Sequence, residues 1–447
     1  MTGIERHRSV RRNTVLNVAG LGIPLVVGLA VMPTITSHLG PARFGLLGLT
    51  LALLEYSTLF DLGLGLATTK HVAEGLATGD LRVSSLVSGS VFGQVILGIL
   101  GGALFVLLAP LLAEQLFVIP ADLRPEAVKV FRLLGLMIPV TLLLVGLRGV
   151  LEAAHRFDLS NAIRIPSSIA SFLVPAIAVS HGFSLVAVMV MLVVTRFVVC
   201  SAMLVAVHRA IPSLSWRFPR EWSLFRPLLA FGGWLSISNV VSPLLVYLDR
   251  FFLGALIGVA AVGFYSAPFD GVIRLLIVPG AMVSALFPSV SGLNATNGKA
   301  ELRALYATAV RNILLILTLP ALVILFFGPE LLRLWLGDSF AEKSGTALQI
   351  LAAGVLVNGL AHVPSAFLAA VGRPDVSAKF HVAELVIHVP LAYWLIRNFG
   401  ITGAAAAWTF RVAIDAGLLF SAGSRIIRQP DTPAFAAGIV TDGAASP

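Results

Sequence analysis

Long apolar runs separated by short polar stretches fill nearly all of the 447 residues. A run of about 20 apolar residues is long enough to cross a bilayer as a helix. Read this way, the chain predicts helices near 13–35, 44–68, 85–109, 127–150, 161–180 and 184–208. A second set falls near 225–247, 253–288, 304–327, 346–370, 380–397 and 402–424. The 253–288 stretch exceeds one crossing, and its first part, Gly254 to Gly263, is expected to turn before the eighth helix proper. At the N-terminus Arg6, Arg8, Arg11 and Arg12 precede an apolar run from Val15 to Met32. That run is too long for a signal-peptide core and no small-x-small cleavage site follows it, so it reads as an uncleaved first span. The expected fold class is therefore an all-α polytopic membrane protein of about twelve transmembrane helices.

Composition supports that reading. Hydrophobic residues make up 57% of the chain and charged ones 12%, against about 25% charged in soluble domains. A soluble multidomain enzyme is excluded, and no room is left for a large extramembrane catalytic domain. The 31 basic against 22 acidic residues give a net charge of +9. Cytoplasmic loops accumulate Lys and Arg, and this explains the excess better than nucleic-acid binding does. With the N-terminus inside, twenty basic residues fall on the cytoplasmic side, seven outside and four within spans (Arg132, Arg196, Arg274, Arg411). Both termini are thus expected in the cytoplasm. The lone Cys200 excludes an intrachain disulfide and a thiolate metal cluster.

The chain also repeats itself at about half its length. Gly40-Pro41-Ala42-Arg43-Phe44-Gly45 aligns with Gly258-Val259-Ala260-Ala261-Val262-Gly263, and Arg156-Phe157-Asp158-Leu159-Ser160 with Arg373-Pro374-Asp375-Val376-Ser377. His181-Gly182 matches Phe399-Gly400, and Pro24 matches Pro243. These four matches lie on nearly one offset and at the same places in the helix order. Six spans separate the copies, an even number, so both insert in one orientation and enclose a cavity between two bundles. The expected domains are an N-lobe over 1–211, an interfacial linker over 212–226 carrying Trp216, Arg217, Phe218, Arg220 and Trp222, and a C-lobe over 227–447.

Ionisable groups inside a membrane are costly and mark functional positions or structural pairs. Arg274 is placed near mid-bilayer in the eighth helix, with Asp270 four residues earlier on the same face. Either the guanidinium lines a wet cavity, ready to fork onto a phosphate, or the two neutralise each other and pin the helix. Arg411 and Asp415 form a similar pair, for which pinning is the simpler account. Glu55 is the candidate titratable ion-coupling carboxylate, with a buried, permanently hydrogen-bonded acid as the alternative. Asp61, before Gly63 and Gly65, suits ion coupling or gating on one reading and helix capping on the other. Polar or kinked stripes run through the first span (Asn13, Asn17, Gly20, Pro24) and the seventh (Ser236, Asn239, Ser242, Pro243). Pro-interrupted helices at matching places in two halves point to a transport site, though Asn and Ser also stitch helices together. Arg43 and Asp249-Arg250 sit at span ends, where snorkelling anchors are the simpler reading. Arg196 has no partner within its own helix, and His362, His381 and His388 with Glu384 read as packing or interhelical hydrogen bonds, since HExxH spacing is missing. Gly298-Lys299, the one Gly-Lys dipeptide, lacks P-loop spacing. No nucleophile elbow, metal cluster or dinucleotide fingerprint is present, so neither catalysis nor a cofactor is expected.

Four stretches carry a family resemblance: Leu39-Gly40-Pro41-Ala42-Arg43-Phe44-Gly45-Leu46, Leu59-Phe60-Asp61-Leu62-Gly63-Leu64-Gly65, Leu248-Asp249-Arg250-Phe251-Phe252-Leu253-Gly254 and Val262-Gly263-Phe264-Tyr265-Ser266-Ala267. Through them the chain resembles a polysaccharide (O-antigen type) flippase of the multidrug/oligosaccharidyl-lipid/polysaccharide exporter superfamily. The resemblance covers almost the whole chain. It implies two six-helix lobes, alternating access, and an undecaprenyl-pyrophosphate-linked oligosaccharide moved across a bacterial cytoplasmic membrane. H⁺ or Na⁺ coupling, membrane lipids and a polysaccharide polymerase are the implied partners. Related flippases for the peptidoglycan precursor meet the pyrophosphate with cavity arginines, a role that Arg274 fits best here, ahead of Arg43 and Arg250. Those flippases have two helices more than this chain, which argues against the closer assignment. A multidrug/cation antiporter of the same superfamily is the alternative; it would be expected to carry an acid in the first span, and none occurs there.

Overall fold

A chain this apolar must satisfy its backbone N–H and C=O groups within itself, and helices do so segment by segment. The computed structural model describes residues 3–78, 83–212, 214, 245–296 and 298–428, with side chains between Gly22 and Arg425, and contains no strand among them. The elements are α1 (Gly3–Tyr56), a 3₁₀ turn (Ser57–Asp61), α2 (Leu64–Thr78), α3 (Val83–Leu111), α4 (Arg124–Ala153), α5 (Phe157–Ser180) and α6 (Leu185–Ala210). Then come α7 (residues 245–256), α8 (Val259–Val272), a 3₁₀ turn (Ile273–Leu276), α9 (Ile277–Ala295), α10 (Lys299–Leu336), α11 (Asp338–Ala370) and α12 (Pro374–Arg428). Among the described residues nine helical stretches are long and apolar enough to cross a membrane, so the protein is multi-pass.

Two helices are longer than one crossing. α1 has 54 residues and α12 has 55, and at 1.5 Å per residue each would run about 80 Å against about 30 Å of hydrocarbon. Each breaks at a glycine with positive φ, Gly40 (70°) and Gly400 (56°), a conformation that costs other residues a steric clash. At Gly400 the chain reverses. Arg411 Nη1 lies 3.4 Å from Glu384 Oε2 although 27 residues separate them, about 40 Å along an unbroken helix.

The structure differs from the sequence expectation at three places. The predicted 44–68 helix stops at Tyr56, and Leu62 (φ 48°) and Gly63 (φ 74°) take left-handed conformations before α2 starts. The turn expected over Gly254–Gly263 narrows to Ile257-Gly258, and α8 is already helical at Val259. Within 253–288 the 3₁₀ turn then separates α8 from α9. Pro279 has no N–H to offer the Leu275 carbonyl, which weakens the α-helical ladder at that point. The seventh-span stripe (Ser236, Asn239, Ser242, Pro243) and most of the 212–226 linker lie outside the described residues.

Helices α1–α6 pack largely on one another, as do α8–α12, and the main contact between the groups is α1 against α8. That crossing uses the repeated segments. A Cβ on Gly45 would strike the Val259 carbonyl, and one on Gly263 would strike the Pro41 carbonyl; a Cβ on Gly48 would rest 3.7 Å from the Ser266 Cβ. Positions 41, 45 and 48 are the 218-residue counterparts of 259, 263 and 266. The contacts are therefore reciprocal, as in a pair of helices related by a two-fold operation. They support the internal repeat.

Candidate functional site

Where α1 ends, Glu55 and Tyr56 face the second half of the chain. Glu55 is exposed, and its carboxylate is a charged neighbour of Arg196 on α6 and of Tyr247 on α7. Arg196 itself donates from Nη1 to Thr141 Oγ1 on α4 at 3.2 Å. The Tyr56 ring meets Tyr247 edge-on at 6.0 Å and Phe251 at 4.8 Å, so the two halves touch through aromatic faces.

On α7, Asp249 and Arg250 are consecutive and therefore point in different directions around the helix. Both are buried, at 0% and 5% exposure, and neither is a span-end anchor. Asp249 turns into the second half, where Tyr265 Oη donates to its Oδ2 at 3.2 Å and His388 Nε2 lies 3.4 Å from its Oδ1. Arg250 donates from Nη2 to Asp270 Oδ1 and lies against the rings of Tyr247 and Phe269, 5.4 and 5.6 Å from their centroids. A guanidinium removed from water needs both supports, charge pairing and an aromatic face.

This pairing changes the account of Arg274. Its spacing from Asp270 suggests an i,i+4 ion pair, but the Asp270 carboxylate is taken by Arg250. Arg274 Nε instead donates to the Asp270 backbone carbonyl at 2.9 Å, and its guanidinium carbon sits 5.3 Å from the ring centre of Phe172 on α5. The 3₁₀ turn carrying Arg274 unwinds the helix there and directs the side chain toward the first half. Among the described residues no carboxylate forms an ion pair with it. Among the described residues Tyr247 has Glu55, Arg250 and Asp270 as charged neighbours, Arg196 adjoins Glu55, and Arg274 adjoins Asp270. Guanidinium groups together with aromatic faces suit an anionic group beside a ring-bearing one.

The remaining predicted residues lie elsewhere. Arg43 pairs through Nε with Glu126 Oε2 on α4 at 2.8 Å, next to the Gly40 break. Asp61 is buried within the first half, where it accepts from the Gly65 N–H at 2.8 Å and from Gln94 Nε2 at 2.7 Å. In this position it satisfies an orphan N–H at the start of α2. Asn17 belongs to α1, but its side chain, like all of Asn239, lies outside the described residues. Tyr56, Phe172 and Tyr247 were not legible as site residues, because an aromatic in an apolar run carries no polarity signal. Arg196 did carry one, a charge without a partner in its own span.

A second polar cluster closes the α12 hairpin. Arg411 Nη1 lies 3.4 Å from Glu384 Oε2, not paired with Asp415 as its spacing suggests, and a polar side-chain atom each from His381, Glu384 and Asp415 lie within 4.8 Å of one another.

Known proteins resemble the chain in sequence and in fold. The sequence profile described as "Polysaccharide biosynthesis protein" matches residues 38–344. A Shigella flexneri protein named "Putative O-antigen transporter" is 28% identical over 414 residues, covering 92% of this chain and 97% of the relative. A Haloferax volcanii protein named "Probable low-salt glycan biosynthesis flippase" is 25% identical over 421 residues, covering 91% and 81%. Among solved structures, an inward-facing multidrug resistance MATE family transporter of the MOP superfamily superposes with a TM-score of 0.76 at 16% identity, covering 92% of this chain and 98% of that one. The last likeness establishes a shared fold.

Proposed function

Since the chain belongs to the polysaccharide biosynthesis protein family, a non-enzymatic membrane transport class of the MOP superfamily, we propose that it flips an undecaprenyl-pyrophosphate-linked oligosaccharide across the bacterial cytoplasmic membrane. The observation that carries this reading is Arg274, partly buried between the halves with its guanidinium free of carboxylate partners among the described residues. Pyrophosphate leaving water needs charge-assisted donors, and a guanidinium offers a planar pair of them. In this reading the halves are two six-helix lobes, with both termini cytoplasmic. The lipid tail stays in the bilayer while the headgroup enters between the lobes, Arg274 and Arg250 face the phosphates, and Tyr56, Tyr247 and Phe172 face the sugars. Closure on one side and opening on the other delivers the headgroup to the outer leaflet, where a polymerase would use it. Coupling to H⁺ or Na⁺ would use Glu55, or Asp61 if its cap can open. The names of the two relatives support a glycan substrate.

The test is headgroup translocation of a fluorescent pyrophosphate-linked polyprenyl sugar in proteoliposomes. Arg274→Ala is expected to slow it about tenfold or more, the value of one charge-assisted hydrogen bond, while Arg274→Lys retains part of the rate. Unchanged translocation by a well-inserted Arg274→Ala protein would sink the substrate-site assignment.

A second reading, a multidrug/cation antiporter, is favoured by the fold shared with a multidrug transporter and by Glu55 and Asp270, both charged neighbours of Tyr247. Uptake of cationic dyes into the same vesicles separates the two. Dye transport abolished by Glu55→Gln, with no glycolipid translocation, would select the antiporter.

A further inference from the structure

We propose that Glu384 and Asp415 share one exchangeable proton, which makes the α12 hairpin a proton-binding site in the second half of the molecule. As a coupling site it rests on the transport reading; as a proton site it stands without it.

The fold builds the pair. The reversal at Gly400 lays residues 384 and 415 side by side, at 2% and 7% exposure, although 31 residues of sequence lie between them. Glu384 is ten residues from Pro374, about 15 Å along the helix, in a stretch long and apolar enough to cross a membrane. Glu384 Oε1 and Asp415 Oδ1 are each buried with no hydrogen-bond partner. A carboxylate has only acceptors, so two of them facing each other repel and cannot satisfy one another. One proton changes this. An O–H on either group donates to the other, both orphaned oxygens gain a partner, and the repulsion disappears. The pair then carries a single negative charge, which Arg411 Nη1 balances from 3.4 Å. The proton comes from bulk water and returns there, so no other reactant is required.

The surroundings fit a proton. A cavity of about 10 Å³ beside the pair is lined by Glu384, His388 and Arg411, with Ile387, Leu391, Phe410 and Ile414 around them. That is room for about one water molecule. His388, 0% exposed in its side chain, lines this cavity with neither ring nitrogen in a hydrogen bond, and Arg411 Nε is likewise unpartnered. Other charged or titratable groups reach the site from every element packed around it. His381 shares the first arm of the hairpin, Asp249 reaches His388 from α7, and Tyr265 on α8 donates to Asp249. On α11 the corresponding group is His362, held to the Asn358 carbonyl at 2.8 Å, and on α10 it is Tyr306, edge-on to Phe420. Asp249 is next in sequence to Arg250, which grips Asp270. His388 and Asp249 thus tie the α12 hairpin to α7, the helix that also carries Arg250.

Infrared difference spectra between acidic and neutral pH test the proposal on the purified full-length protein in nanodiscs, with choline as the salt cation. Wild type should show a deuterium-sensitive carboxylic-acid band worth about one proton per chain. Glu384→Gln and Asp415→Asn should each abolish it, and Asp122→Asn, at an exposed acid far along the chain from the hairpin, should leave it in place. A band that survives either of the first two variants, or vanishes in Asp122→Asn, overturns the assignment. Should the amide variants fail to fold, Glu384→Asp keeps a carboxyl but changes its geometry and must shift the band; an unshifted band overturns the proposal. Replacing choline by Na⁺ at fixed pH should leave the spectrum unchanged, and displacement of the proton by Na⁺ would make this a metal-cation site instead.

Discussion

At the scale of single residues, the charges within the spans sort by what neutralises them. Asp270 could have served Arg274 or Arg250, and the fold gives it to Arg250, the more deeply buried of the two. Sequence spacing shows which residues share a helical face, but it cannot show that a competitor arrives from another helix. Asp61 carries the same lesson. Its two oxygens are engaged by Gly65 N–H and Gln94 Nε2, so its immediate role is to hold the break before α2. Asp61→Ala should destabilise the protein by about 1–3 kcal/mol through the orphaned donors. A lower midpoint in thermal unfolding, with partial recovery in Asp61→Asn, would bear this out; an unchanged midpoint would remove the capping role.

At the scale of elements, the α1–α8 crossing depends on small residues. Without a hydrophobic driving force between helices in lipid, close backbone approach supplies the van der Waals contact that holds them. Gly45 and Gly263 permit it, because a methyl at either position would collide with a carbonyl of the opposite helix. Gly263→Ala should therefore cost about 1–3 kcal/mol by overpacking. Gly280→Ala in α9 meets nothing within 4 Å and should be neutral or stabilise by about 0.4–1 kcal/mol. Melting temperatures that rank the two variants in the reverse order would show that the crossing is not tight. The glycines were visible in sequence as a repeat at an offset of 218. That the repeats touch each other was not, since nothing local in a sequence tells a helix which other helix it will meet.

For the whole molecule, alternating access requires the two halves to move against each other, and Gly48 and Ser266 face one another across the crossing. With a Cβ–Cβ separation of 3.7 Å, a Gly48→Cys/Ser266→Cys pair meets disulfide geometry. Built on a Cys200→Ser background, it should crosslink under oxidation, arrest translocation, and recover on reduction. Full transport by the oxidised protein would mean that the halves pivot about this crossing without parting there.

The sequence by itself determined the class of molecule. The run lengths, the low charge and the need to pair every backbone group in hydrocarbon leave only a helical multi-pass protein, and the offset repeat announced its two related halves. Local chemistry also fixed the glycine breaks at residues 40 and 400, because positive φ is a property of one residue. Tertiary structure decided which charges meet. The reversal at Gly400 brought Glu384 to Arg411 and Asp415, and the approach of α7 to α8 took Asp270 from Arg274. Both outcomes come from side chains on separate helical segments meeting the same buried charge, and that meeting exists only once the segments have packed.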